Sequence, residues 1–521
     1  MTAQSRESEP KDTRSVNVSP YVELGQVLTT ELSGDGDTAT YTQAAAGVDA
    51  SVQGRYNGGS ASLRYERSFG YGDGVTDGSR LSGLARGYAG LVPNMLTIEG
   101  GALASRTQSG RDNRAFGPMR IRGAEHRLYS AYAGPVIRTR AGDAEIEGDY
   151  RLGYSRLDTG NQVPIAPQAH VLDFFDESVV QSANLRLGTR PGAPLPVGVG
   201  LGAGFMQEDV SNLDQRVRNA HLRGDMTVPL AQSLALVGGL GYEDVLVANR
   251  DAVRDAGGLP VLGPDGRFVT DKSAPRKVAF DVSGIIWDIG AIWRPSRRTS
   301  AEFRFGKRYG STTYSGTFSW LLNSRSSFNL SIYDGISGLG GLLTNALSGL
   351  PAQFTASRNA VSGDVDGCVS SQEGGVCLNG VLGSVRSAIF RGRGIAANYS
   401  YRIGQVTAGA GAGYDRRKFI AAPGTVLAAA DGVVDRNAWI AGYLSGPLDE
   451  RSSFKVSAYG NRLRSDFANG GDATVLGASA AYQRQLIDGL SANAAFGIER
   501  IDGDSINVGA ASVLIGLRYD F

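Results

Sequence analysis

Two cysteines and three histidines are all that the 521 residues offer as soft metal ligands or near-neutral bases. That scarcity leaves no cysteine–histidine cluster for a zinc site. His126, His170 and His221 have no recognisable serine and acid partners, so a hydrolase triad has little support. No metal, no cofactor and no enzymatic activity are expected. Long apolar runs are also missing. Nothing approaches the ~20 consecutive apolar residues of a spanning helix. Net charge is nearly absent, with 52 basic against 51 acidic residues, so no nucleic-acid partner is expected. The 18 prolines and the lack of a G-X-Y period exclude collagen. A hydrophobic content of 41% argues against wholesale disorder. The polar start, residues 1–14, reads as a disordered tail. It has no apolar h-region, so no signal peptide is expected within it, and Thr2-Ala3-Gln4 suits a cleavage stub.

What is present in excess is glycine, 73 residues or about twice the usual ~7%. From Ser15 the chain becomes a series of alternating segments. Ala144, Ile146, Gly148, Tyr150, Leu152 and Tyr154 form one face, and Glu145, Glu147, Asp149 and Arg151 form the other. A strand sends successive side chains to opposite faces, so this is a strand with one apolar and one charged side. The pattern returns repeatedly. Arg64 and Glu66 oppose Leu63 and Tyr65, and Arg223 and Asp225 oppose Leu222 and Met226. Glu302 and Arg304 oppose Phe303 and Phe305, while Ile285, Trp287 and Ile289 alternate with Ile286 and Asp288. In the last strand Val513, Ile515, Leu517, Tyr519 and Phe521 share a face, opposite Arg518 and Asp520. Some glycines, such as Gly148, Gly224 and Gly516, stand inside these strands, where a small residue permits bending and close packing.

The connections alternate in kind. Ten are short, among them Asn57-Gly58-Gly59, Val92-Pro93-Asn94, Ala141-Gly142-Asp143, Gly404 and Asp488-Gly489. The others are often long and polar: 106–124, 157–174, 247–275, 335–386 and 415–434. Tight turns at one end and long loops at the other are the habit of outer-membrane barrels. In lipid every backbone polar group must be paired, so only helices and closed barrels span. The expected fold is therefore all-β: one antiparallel up-and-down transmembrane barrel over 15–521, centred on 22 strands with 18 to 24 allowed. Its short turns would be periplasmic and its long loops external. Ten tyrosines near strand ends, Tyr21, Tyr56, Tyr65, Tyr154, Tyr242, Tyr309, Tyr314, Tyr401, Tyr443 and Tyr519, suit interfacial girdles. The terminal aromatic pair Tyr519 and Phe521 resembles the insertion signal read by the barrel-assembly machinery. Outer-membrane lipid is the expected surrounding.

Arg64, Glu66, Glu145, Glu147, Asp149, Arg151, Arg223, Asp225, Glu302, Arg304 and Arg518 are the expected lumen charges. Six lysines against 46 arginines make the basic side almost wholly guanidinium, which suits carboxylates and phosphates. Two readings stand: a conduit for anionic or polyhydroxylated solutes, and charges that merely brace a wide barrel. The insertion 335–386 carries Ile336, Leu339, Leu342, Leu343, Leu347 and Leu350 near helical spacing. It either constricts the lumen or forms an outer loop. Cys368 and Cys377, in the same insertion, are expected to form a disulfide in an oxidising compartment.

Two blocks carry a family resemblance: SPYVELGQVLTTEL from Ser19, and FDVSGIIWDIGAIWRPSRRTSAEFRFGKRYGSTTYSGTFSW from Phe280. Both resemble the outer-membrane barrels associated with the PEP-CTERM/exosortase system. That resemblance implies an outer-membrane place beside exopolysaccharide machinery. It makes polysaccharide-export proteins the expected partners and polymer export the expected role. The alternatives are a closed structural or surface-interaction barrel and a general solute porin.

Overall fold

The computed structural model describes residues 15–33, 38–71, 77–109, 124–159, 177–263, 267–371, 376–378, 388–467, 472–503 and 506–521. The tail 1–14, residues 110–123 and 160–174 of the first two long connections, 264–266 and parts of 335–386 (372–375 and 379–386), and with them His170, lie outside these residues. Among them the alternating segments become strands. The first eleven are β1 (Ser15–Glu31), β2 (Thr38–Gln53), β3 (Asn57–Tyr71), β4 (Gly78–Val92), β5 (Leu96–Ser109), β6 (Ala124–Ala141), β7 (Ala144–Thr159), β8 (Glu177–Thr189), β9 (Gly198–Val210), β10 (Gln215–Ala231) and β11 (Leu234–Asn249). Four more follow: β12 (Lys277–Ser296), β13 (Thr299–Arg308), β14 (Ser311–Asn323) and β15 (Ser326–Ser337). A helix, α1 (Leu339–Ser348), and a small sheet of β16 (Thr355–Arg358), β17 (Val365–Ser370) and β18 (Val376–Cys377) interrupt the series. It resumes with β19 (Phe390–Ile403), β20 (Val406–Phe419), β21 (Val434–Pro447), β22 (Ser452–Ser465), β23 (Ala473–Ile487), β24 (Leu490–Gly503) and β25 (Ile506–Asp520).

All but β16–β18 join one 22-stranded antiparallel sheet in which each strand pairs with its neighbour in the chain, β15 pairing with β19. The sheet closes because β1 pairs β25, from Tyr21 opposite Asp520 to Glu31 opposite Ala510. Closure leaves no edge strand, the condition for crossing lipid. At a spacing of ~4.8 Å and a tilt of ~40°, 22 strands enclose a barrel about 44 Å across, backbone to backbone.

The ten short turns all fall at one end, which also carries both ends of the described chain. This end is periplasmic by the rule for such barrels. The tightest of these turns put Gly142, Gly404 and Gly489 in the left-handed region. At the other end the connections are mixed. Those after β9, β13 and β24 are short and the rest longer.

The outward faces are the expected apolar ones. Leu63, Tyr65, Leu222, Met226, Ile285, Trp287, Phe303, Phe305, Ile515 and Leu517 are all exposed. Such a continuous apolar belt has no place in water. The chain is an outer-membrane β-barrel. Three of the ten tyrosines do not join the girdle. Tyr21 and Tyr309 are buried inside, and the Tyr443 ring lies over Gly409 on the lumen side. The physical reason at Tyr21 is its parity: Val22 and Leu24 take the lipid side of β1, leaving Tyr21 to stack under Arg518 at 3.7 Å.

Candidate functional site

The described residues between β15 and β19, chiefly 338–371 and 376–378, do not lie over the surface. They enter the lumen and touch most of the wall. α1 begins directly after β15 and leans on β5, β6, β7 and β8, on the far side of the barrel. Its N-terminus needs an acceptor for the free amides of the first turn. Glu208 of β9 supplies it: the Gly338 N–H donates to Oε2 at 2.7 Å, with Gly340 and Gly341 donating to the same carboxylate. Ser178 of β8 donates to its other oxygen at 2.9 Å. Leu339, Leu343, Leu347 and Leu350 then form one apolar stripe. They pack with Leu84, Leu103, Leu128, Leu157 and Val210 from five wall strands. Burying each leucine is worth ~1.5–3 kcal/mol. On β7, Gly153 faces the helix, and a Cβ there would sit 2.2 Å from the Thr344 hydroxyl. Glycine at this position lets the helix lie against the sheet.

After α1 the chain crosses the β2–β4 wall. Gln353 donates to the Val52 carbonyl at 2.5 Å, and the Phe354 N–H donates to Ser60 Oγ at 3.1 Å. The Arg358 guanidinium reaches Ser62 Oγ at 3.1 Å, Ser82 Oγ at 2.9 Å and the Gly363 carbonyl at 2.8 Å. The turn 359–364 presses on the seam strands. Val361 packs with Val27, Tyr41, Ala495 and Leu514, and the Ala360 N–H donates to Ser479 Oγ at 3.3 Å. Asp364 pairs with Arg106 at 2.6 Å. The return strands β17 and β18 set Cys368 opposite Cys377, and the two are joined as a disulfide. The Cys377 N–H finally donates to Asn398 of β19 at 3.2 Å. Plug, wall and outlet are thus one chain of contacts around the lumen.

The remaining sector, β10–β14, is closed by other means. The turn after β13 folds inward with Tyr309 at φ 53°. Tyr309 packs with Val217, Val245, Val247, Ile336 and Ile389, and its N–H donates to Glu243. Above it the outer loops lock together. Asn249 accepts from the Ala422 N–H at 2.9 Å, Asp251 accepts from the Val426 N–H at 2.9 Å, and Lys277 donates to the Gly424 carbonyl at 2.6 Å. Asp214 receives Arg250 at 2.7 Å and Arg276 at 2.6 Å. Burial pushes the Asp214 carboxyl up, but these two guanidinium groups outweigh it and hold it below the usual carboxylate range.

On the periplasmic side of α1 a cavity of about 1540 Å³ remains. One wall near it is an ion-pair ladder that runs across the strands. Arg86 meets Glu99 at 3.2 Å, Glu99 meets Arg151 at 2.9 Å, and Arg151 meets Asp149 at 3.1 Å. Asn184 links to Asp149 at 3.2 Å. Arg186 then meets Asp225 at 2.7 Å, Asp225 meets Arg223 at 3.3 Å, and Arg223 meets Asp288 at 2.7 Å. Arg304 closes the row, 3.0 Å from Asp288 and 2.6 Å from Glu302. The arginines lie flat on the sheet because glycines stand beneath them. A Cβ on Gly239 would fall 2.1 Å from the Arg223 guanidinium. The facing part of the cavity is lined mostly by neutral groups, including Thr317, Ser319, Asn329, Ser331, Asn398 and Thr407, with Arg402 opposite Thr407 at its lower end.

The charges singled out from sequence therefore separate. Asp149, Arg151, Arg223, Asp225, Glu302 and Arg304 belong to the ladder. Arg64 bonds Glu23 and approaches Glu66 at 3.4 Å, both beside the plug turn. Glu147 stands opposite Arg138 in register, off the ladder. Glu145 sits at a short turn, held by Arg140 at 2.7 Å and by Arg190. Arg518 reaches Glu23 at 3.0 Å across the seam and Asp520 at 2.7 Å along its own strand. Tyr519 and Phe521 stack edge to face at 5.0 Å and are exposed, and the Phe521 N–H donates to the Pro20 carbonyl at 3.1 Å. Sequence reasoning missed Glu23, Arg86, Glu99, Arg186, Glu208, Asp288 and Arg358 as site residues. Glu23, Arg86, Glu99, Arg186 and Asp288 carried a usable signal, a polar residue alternating with apolar or small neighbours, as in Leu185-Arg186-Leu187 and Trp287-Asp288-Ile289, whereas Glu208 stands between Gln207 and Asp209.

No protein-family model matches the chain, and no curated protein matches it. Solved structures do. The chain is similar to the FrpB iron transporter from Neisseria meningitidis (F3-3 variant), at 10% identity over 96% of this chain and 81% of that chain, TM-score 0.44. It is similar to the ferric-catecholate import receptor Fiu from E. coli K12 in its open form, at 9% identity over 96% and 81%, TM-score 0.46. It is also similar to the siderophore receptor PiuA from Acinetobacter baumannii, at 8% identity over 96% and 82%, TM-score 0.42. The resemblance to exosortase-associated barrels is thereby corrected. No family model supports it, and the matched structures are iron and siderophore receptors. The quoted blocks are alternating barrel strands, whose apolar–polar pattern recurs wherever a strand faces lipid on one side.

Proposed function

We propose that this outer-membrane barrel is a gated transporter of small polar solutes, closed by its own loop. The carrying observation is the position of residues 338–371 and 376–378, inside the lumen and fastened to facing walls. A barrel of 22 strands is wide enough to leak unless filled, and large barrels of this size are plugged. The plug is connected to the wall at both ends, so transport proceeds by local undocking of α1 rather than by its departure. The cavity below α1 is of small-molecule scale, somewhat above the ~300–1,000 Å³ of ordinary ligand pockets. Its ion-pair wall and the facing wall of hydroxyls, amides and Arg402 impose a transverse field that orients dipolar and anionic solutes. The proposal is for transport and not for catalysis.

Export of an exopolysaccharide, with polysaccharide-export proteins as partners, rested on the family resemblance now set aside. A polymer would also need the whole plug displaced. Iron chelates, the cargo named for the matched receptors, are not carried over at identities of 8–10%.

Planar-bilayer recordings test the reading. The intact chain is expected to show little or no steady conductance. Replacing 339–378 by a short Gly-Ser linker is expected to open large, long-lived channels. Equal conductance of the two proteins would sink the proposal.

A further inference from the structure

Seven basic side chains project from the lipid-facing surface near the outer end of β19–β22. On β19, Arg391 and Arg393 share parity with exposed Ile395; on β20, Arg416 and Lys418 share parity with exposed Tyr414. On β21, Arg436 has the parity of exposed Ile440; on β22, Arg462 and Arg464 have that of exposed Val456. The pairing register aligns them. Arg393 stands opposite Arg416, Arg416 opposite Arg436, and Arg436 opposite Arg464, with Lys418 opposite Arg391. Like charges directly opposite on adjacent strands repel. A row of four arginines on four strands is therefore unfavourable unless an anion lies over it.

The protein supplies only part of that anion. Asp334 of β15 takes Arg391 at 2.8 Å and Arg393 at 3.0 Å. Asp466 takes Arg436 at 2.8 Å. Among the described residues no carboxylate lies within ion-pair distance of Arg416, Lys418, Arg462 or Arg464. The four strands carry only Asp415 and Asp435, and both are buried on the lumen side. A different sector of the barrel shows the usual solution. On β9–β11 the outward Arg216 is matched by Asp209 at 2.5 Å, and Arg218 by Asp244 at 4.0 Å.

Height identifies what could lie over the row. Arg393 is ten residues along β19 from Ile403, at the periplasmic turn. At a rise of ~3.3 Å and a tilt of ~40°, that is about 25 Å, the height of the apolar band. The row therefore sits at the headgroups of the outer leaflet. We propose that this face binds phosphate groups on outer-leaflet lipids. A planar guanidinium fork bonds phosphate oxygens in pairs, and adjacent forks at strand spacing bridge neighbouring phosphates.

The test uses the full chain in detergent, incubated with a diphosphorylated glucosamine lipid or with the same lipid after dephosphorylation. Native mass spectrometry counts the lipid retained. The wild type is expected to hold the phosphorylated form at least about tenfold more tightly, the loss expected from one charged hydrogen-bonding group. Arg416→Ser, Arg436→Ser and Arg464→Ser together are expected to abolish that preference, with heat-modifiable gel mobility confirming a folded barrel. Arg216→Ser with Arg218→Ser, on the distant sector, is expected to leave it intact. The wild-type comparison stands even if the triple variant fails to fold. Equal retention of both lipids, or an unaltered preference in a folded triple variant, overturns the proposal. Displacement of the lipid by millimolar inorganic phosphate would reassign the row to a free anion and also overturn it.

Discussion

Truncating Leu347 to alanine gives a direct reading of how firmly the plug is docked. Its side chain is fully buried between α1 and the wall leucines Leu84, Leu103, Leu128 and Leu157. Leucine-to-alanine changes in packed cores cost about 2–5 kcal/mol, part of it from the cavity left behind. Undocking α1 exposes this side chain, so most of that cost falls on the docked state alone. A loss of about 3 kcal/mol shifts the docked–undocked balance roughly 150-fold, at 1.4 kcal/mol per factor of ten. Thr344→Cys provides the reporter. Thr344 is 1% exposed and faces β7, so a thiol there reacts with a bulky maleimide only when the helix leaves the wall. Cys368 and Cys377 are bonded to each other and stay silent. With fast redocking, the labelling rate follows the open population. Adding Leu347→Ala to Thr344→Cys is expected to raise that rate about two orders of magnitude. Leu240→Ala, on the lipid side of β11, is expected to leave it unchanged. A folded Leu347→Ala protein that labels at the parental rate would refute the idea that the leucine stripe holds the plug.

The same reporter measures two further contacts. Glu208→Ala removes the acceptor of the Gly338 N–H, and loss of a capping acceptor costs ~1 kcal/mol, so labelling should rise roughly fivefold to tenfold. Glu208→Gln, which keeps an acceptor oxygen, should fall between. Reduction of Cys368–Cys377, nine residues apart, relaxes a loop whose closure entropy is about 3 kcal/mol. Labelling should rise with dithiothreitol and be insensitive to it in a Cys368→Ser, Cys377→Ser background. At the outer mouth, Asp214 has a lowered carboxyl pKa, so its latch to Arg250 and Arg276 is fully present above the unfolded value of ~3.9. It is lost only as pH falls further, through the folded value. Protease cleavage within 250–276 should therefore stay constant from neutral pH to about pH 4 and rise below it. Asp214→Asn should raise cleavage from neutral pH down to about pH 4 and flatten the rise below it, where the wild-type carboxyl is itself neutralised.

Much of the barrel was legible because its rule is local. A strand in lipid must alternate, and Leu222-Arg223-Gly224-Asp225 announces both its faces without reference to anything else. The short turns fixed the hairpins, and the hairpins fixed the number of strands. Partners were less legible, since alternation gives a side chain its side and not its neighbour. Arg186 and Asp225 meet over β9, with Gly200 between them, a contact that no spacing in the sequence marks. Tyr21, Tyr309 and Tyr443 were assigned to the girdle by their place near strand ends. Parity along β1 already opposed this for Tyr21, whereas Tyr309 turns inward only because its loop meets Glu243.

The basic row on β19–β22 illustrates the remaining step. Each arginine is visible as one polar residue in an apolar face, but only the register sets Arg393, Arg416, Arg436 and Arg464 side by side. The sequence by itself determined a closed antiparallel barrel in a membrane, because period, turns and backbone satisfaction in lipid leave no other solution. Whether the β15–β19 loop lies outside or fills the lumen was decided by the tertiary structure. That choice depends on acceptors and apolar surface 130 to 301 residues away, such as Glu208 for Gly338 and Val52 for Gln353. A loop's own residues carry its helix, but the wall that binds it exists only once the barrel has closed.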